Sequence, residues 1–181
     1  MQGVEQAVRH WLESVVVGLN LCPFAAATVR EQRLRIVVSR AEEPVALLDD
    51  VQDEINRLDD RPATELDTTL IAIPRMLSRF DAYLDVLDEV ERLLKRQGRI
   101  GVYQVASFHP AYRFDGLPPD DPSHLTNRAP VPLIHLLREA SVAAAVARHP
   151  DAHGIPDANS ARMRALTGAQ RRALFGALAD D

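Results

Sequence analysis

The chain has 181 residues, 46% of them hydrophobic and 26% charged, with a formal net charge of -5; this length fits one domain, residues 1–181, with a core that needs no covalent staple. An acidic balance without a basic run argues against a nucleic-acid groove or an anionic membrane surface as partner. The single cysteine, Cys22, rules out an internal disulfide and suits a reducing compartment, so the expectation is a cytoplasmic protein.

Val4, Val8, Trp11, Val15 and Leu19 recur at helical spacing and predict a first helix ending near Asn20, before Pro23. Glu5, Arg9, His10 and Glu13 interrupt that stretch, so neither a signal-peptide core nor a membrane span is expected there. A strand follows over 34–38, then a helix over about 43–59 with Leu48, Val51, Ile55 and Leu58 as its apolar stripe. A second strand covers about 68–73. Ser78 and Asp81 are expected to cap a third helix, which Gly98 stops. A third strand runs over 100–107. This alternation predicts an α/β fold, a small layer of three or more mainly parallel strands with helices packed on it.

Six of the twelve prolines fall between Pro110 and Pro132. The segment of about 108–132 therefore reads as a functional loop, because long irregular stretches inside a compact domain are either that or disordered. A helix is predicted over 133–148. A C-terminal helical segment follows, with a turn near Asn159 and a last helix opened by the capping pair Thr167 and Gln170.

Lys95 is the one lysine against twenty arginines, and the glycines form no dinucleotide fingerprint or phosphate loop. Schiff-base, P-loop and ordinary NAD chemistry thus lack their residues. In a parallel sheet ligands gather beyond the carboxyl ends of the strands, which would bring Arg40, Arg75 and His109 to one edge as an anion site. On the predicted helix His135 and Glu139 are four apart and stack on one face. Together with His109 they would make a two-histidine, one-carboxylate set, suited to acid–base work or to a divalent metal such as iron, zinc or manganese. The plain reading of that pair is an intrahelical hydrogen bond on the surface. Cys22, paired with His109, is a candidate nucleophile, although its place after a helix C-terminus opposes a thiolate and a buried structural thiol is the commoner case. Asn127 and Arg128 could bind an anion with the N-terminal end of the helix that follows. His10, His124, His149 and His153 read as solvent-facing.

LNLCPFA at 19–25, QVASFHPAYRFDG at 104–116, TNRAPVPLIHLLREASV at 126–142 and the later IPDANS resemble the bacterial family catalogued as domain of unknown function 1415. The resemblance spans nearly the whole chain and implies no reaction. It implies hallmark blocks at Cys22, Pro23, Phe24, His109, Pro110, Asn127, Arg128, His135, Arg138 and Glu139. The usual family string carries Ser and then an aromatic after Asn-Arg; here Ala129 and Val131 stand there. Three functions remain open: an enzyme acting on a small anionic metabolite through His109, His135 and Glu139 with the arginines holding substrate, a thiol enzyme using Cys22, and a non-catalytic metabolite-binding or sensing module.

Overall fold

A computed structural model describes residues 1–179. The apolar stripe of the N-terminus forms α1 (Gln2–Trp11), which continues into a π-helical segment, Leu12–Val17. The wider turn lets Leu12, Val15 and Val16 all be buried beside Trp11. A Cβ at Gly18 would lie 2.3 Å from the Ser14 carbonyl oxygen, so this turn closes on glycine. After a short α2 (Ala25–Arg30), β1 (Leu34–Val38) leads into α3 (Pro44–Asp59), with proline at the helix start where its missing N–H is harmless. Then come β2 (Thr68–Ala72), α4 (Phe80–Arg96) and β3 (Tyr103–Phe108). Gly98, at φ +65°, ends α4 as expected, whereas the predicted Ser78–Asp81 cap does not form; Asp81 accepts from the Ala82 N–H and pairs with Arg79.

The helix predicted over 133–148 is the largest correction. Its first six residues are β4 (Leu133–Arg138), and α5 (Glu139–Arg148) begins only afterwards. The sheet order is β1-β2-β4-β3, with β1 and β2 parallel and β4 antiparallel to both neighbours. The sheet is therefore mixed, not mainly parallel. Helical crossovers carry β1 to β2 and β2 to β3 in one direction, as read from the sequence. The chain then turns back through the loop after Phe108 without an α-helical crossover, and β4 returns antiparallel to β3. That loop contains a 3-10 turn, Pro122–Asn127. The C-terminal helices are α6 (Ile155–Ala165), which takes in Asn159, and α7 (Gly168–Phe175), opened by the expected Thr167–Gln170 capping box.

Alternation along the strands divides the core. Ile71, Ile73, Ile134 and Leu136 face α3 and α4, against Leu47, Val51, Ile55, Tyr83 and Val90. Each such buried side chain contributes roughly 1.5–3 kcal/mol. Ile36, Leu70, Ala72 and Leu133 face the other way, onto Val8, Trp11, Val15 and the C-terminal Met163 and Phe175. This second covering is incomplete. Toward the amino ends of β1, β2 and β3 a cavity remains between the sheet, α2, α5 and the end of the first helix at Trp11, Leu12 and Val16.

Candidate functional site

Because β1, β2 and β3 run the same way, Arg40, Arg75 and His109 do leave one edge of the sheet, but they build no shared anion site. Arg40 is exposed, its Nε 3.3 Å from Met1 Sδ. Arg75 is exposed and paired with Glu42 at 2.6 Å. His109 is fully buried. Its Nε2 lies 2.8 Å from the Leu77 carbonyl, which can only accept, so Nε2 carries the proton; Nδ1 accepts the Ala111 N–H at 3.0 Å. Burial lowers the pKa of the ring, which sits between Phe80 and Tyr83. Both nitrogens are thus committed to backbone, and His109 clasps the loop after β2 to the loop after β3.

His124 works the same way and is buried, not solvent-facing. Its Nε2 donates to the Pro118 carbonyl at 2.8 Å and its Nδ1 accepts the Phe114 N–H at 3.0 Å. Asn127 joins this framework: its Nδ2 donates to Ser107 O at 3.1 Å, and its carbonyl accepts the His109 N–H. Arg128 is buried, donates to Leu178 O at 2.7 Å, and offers its carbonyl to Trp11 Nε1 at 2.9 Å. A strand follows these two residues, so the helix N-terminus that was to complete an anion site is not there.

The His135–Glu139 stack also disappears, since His135 lies in extended backbone and Glu139 opens α5. His109 points to the α3/α4 side of the sheet and His135 to the opposite side. Among the described residues no three His, Cys, Asp or Glu side chains form a group able to hold a metal. Arg138 donates to the carbonyls of Leu58, Arg61 and Leu66 and places its guanidinium 5.8 Å from the centre of the Tyr103 ring. It ties β4 to the end of α3.

What the fold does bring together lies on the second face of the sheet. A cavity of about 650 Å³ is floored by Thr68, Leu70, Ala106, Phe108, His135 and Leu137. Its walls come from α2 (Ala25, Ala27, Thr28), from α5 (Ser141, Val142, Ala145) and from Trp11 and Val16. The lining is mostly apolar. His135 is enclosed deeply enough that burial lowers its pKa from an ordinary 6.5 to about 4, so it is a neutral imidazole near neutral pH. Its Nε2 lies 2.6 Å from Thr68 Oγ1. Cys22 lines the same cavity; burial raises its pKa, outweighing the lowering effect of the Phe24 and Ala25 N–H groups, and keeps it a thiol.

The charged residues on the lining are Arg33, Asp67, Arg138 and Arg148. Arg33 and Asp67 neutralise one another at 2.5 Å. Arg138 and Arg148 have no carboxylate partner among the described residues, so the cavity wall is left with an excess of positive charge. Of the residues singled out from sequence, Cys22, Pro23, Phe24, His135 and Arg138 reach this cavity, while His109, Pro110, Asn127, Arg128, Glu139, Arg40 and Arg75 do not. Thr68, Phe108 and Arg148 were missed. The Asn-Arg-Ala-Pro and Phe-His-Pro strings drew attention because they are dense in chemical groups, and the structure shows those groups bonded to backbone. No helix among the described residues is long and apolar enough to cross a membrane.

A family described as "protein of unknown function (DUF1415)" matches residues 3–173. No curated protein and no solved structure matches the chain.

Proposed function

The chain belongs to the DUF1415 family, and from that premise we propose that it binds a small, largely apolar organic acid in the cavity between the sheet, α2 and α5. The carrying observation is the pairing of an apolar chamber of about 650 Å³ with Arg148, a cation without an ion-pair partner among the described residues. Small-molecule sites are typically concave, mostly apolar and roughly 300–1,000 Å³, with few polar groups to orient the ligand. An anionic head beside Arg148 and a hydrocarbon body over Phe108 and Leu70 would use both features. A general base works best with a pKa near the working pH; His135, at about 4, is better suited to hydrogen bonding than to proton abstraction. Binding is therefore ranked ahead of turnover.

An enzymatic reading keeps one supporting observation: Cys22 and His135 line the same chamber. In that reading His135 orients substrate by hydrogen bonding and Cys22 supplies the thiol, while His109 and Glu139, which do not reach the chamber, take no part.

Calorimetry with phenylacetate and octanoate, each against the amine of matching skeleton, tests the binding reading. The acids are expected to bind and the amines not, with binding weakened by Ala145→Trp, which pushes an indole into the chamber from α5. Equal affinity for acid and amine, or binding unaffected by Ala145→Trp, would refute it. Mass spectrometry of the recovered acid then reports whether it has been chemically changed.

A further inference from the structure

The proton positions around His135 follow from a count of hydrogens. Thr68 Oγ1 lies 2.6 Å from the Leu136 carbonyl oxygen and 2.6 Å from His135 Nε2. A hydroxyl has one hydrogen, and a carbonyl oxygen can only accept. The hydrogen of Thr68 therefore goes to Leu136, and Nε2 must donate to Oγ1. The opposite tautomer would set two lone pairs against a single proton at both short contacts. A neutral imidazole has one N–H, so Nδ1 carries a lone pair.

Among the described residues that lone pair meets no donor, and no hydrogen bond to Nδ1 of His135 is formed. The ring it belongs to lines the cavity. His109 provides the contrast, with both nitrogens bonded to backbone.

We propose that Thr68 is a positioning residue that presents His135 Nδ1 to the cavity as an acceptor, and that the bound acid also carries a neutral hydrogen-bond donor, a hydroxyl or N–H, for that nitrogen. This rests on the acid-binding reading above and narrows it to hydroxy-substituted, or equivalently N–H-bearing, apolar acids. A site built to accept a donor discriminates against the analogue lacking one, because the buried acceptor is then left unpaired.

The test has two arms. In the first, the ortho, meta and para hydroxyphenylacetates are compared by calorimetry with their methoxy counterparts and with phenylacetate. The best hydroxy isomer is expected to bind about tenfold more tightly than its methoxy partner, the worth of one buried hydrogen bond. Thr68→Val should collapse that preference and Thr68→Ser should keep it. Equal binding of hydroxy and methoxy acids overturns the donor requirement while leaving acid binding intact. Binding of none of them overturns both. The second arm needs no variant: ¹⁵N NMR of the ligand-free protein is expected to show His135 with a pyrrole-like Nε2 and a pyridine-like Nδ1. The reverse pattern overturns the role of Thr68.

Discussion

Acidification should destabilise this protein through His135 well before the carboxylates protonate. The folded ring has a pKa of about 4 and the unfolded one 6.5. Between those values the unfolded chain binds the proton and the folded chain refuses it, so stability is full above about 6.5 and is lost as pH falls toward 4. The whole window is worth about 3 kcal/mol, and the span from about pH 7 to about pH 5 about 2 kcal/mol. His109, whose pKa burial also lowers, adds a loss of the same sign. Asp81 and Asp121, whose carboxyls arginine partners hold below the usual range, contribute losses only at still lower pH. Urea unfolding at a series of pH values, for wild type and His135→Gln, measures the effect. The variant should show a shallower decline over this window, by about 2 kcal/mol between about pH 7 and about pH 5. Parallel curves for the two proteins would refute the inference that the ring is neutral and enclosed in the native state.

Three further outcomes follow from single side chains. Thr69 is fully buried and its hydroxyl has no partner among the described residues, so Thr69→Val should raise stability by about 1 kcal/mol, read as a higher urea midpoint. Arg138→Lys keeps the charge but cannot serve the carbonyls of Leu58, Arg61 and Leu66 together, and should lower stability by about 2 kcal/mol in the same assay. Burial raises the Cys22 pKa, so iodoacetamide should modify it more slowly than a free thiol at the same pH, and a bound acid should slow it further; rapid alkylation that ligand does not affect would count against the thiol's place on the cavity wall.

The elements legible in the sequence were those with one wet and one dry face. The stripes of α3 and α4 are periodic because their outer sides meet water, and β1, although paired on one side only, sits between clear breaks. β4 defeated the same reasoning. It is the interior strand between β2 and β3, with Leu133, Ile134 and Leu136 fully buried, so both faces are apolar and strand alternation vanishes. Leu133, Leu136, Leu137 and Ala140 then fit a helical period by accident. Misreading β4 had two consequences for the site. It created the His135–Glu139 stack and the helix N-terminus beside Asn127, and it moved the expected ligand to the strand ends, where a purely parallel sheet would have put it. Cys22 and His135 both line the cavity, yet the partner of His135 is Thr68, sixty-seven positions away and across a strand pair. Only the register of β2 against β4 brings those two together, and the sequence does not carry that register. The loop histidines were misjudged for another reason: an imidazole that spends both nitrogens on nearby backbone leaves no periodic trace.

The placement of β4 also dictates when the sheet can be finished. Its two neighbours, β2 and β3, emerge earlier from the ribosome, and each must wait with an unpaired row of amides and carbonyls until Leu133–Arg138 slides between them. A nascent chain stalled before Leu133 would hold these two sticky margins open to other chains, the template from which aggregation grows. The proline-rich stretch preceding β4 is thus also the last tether to be drawn in before that hazard is closed.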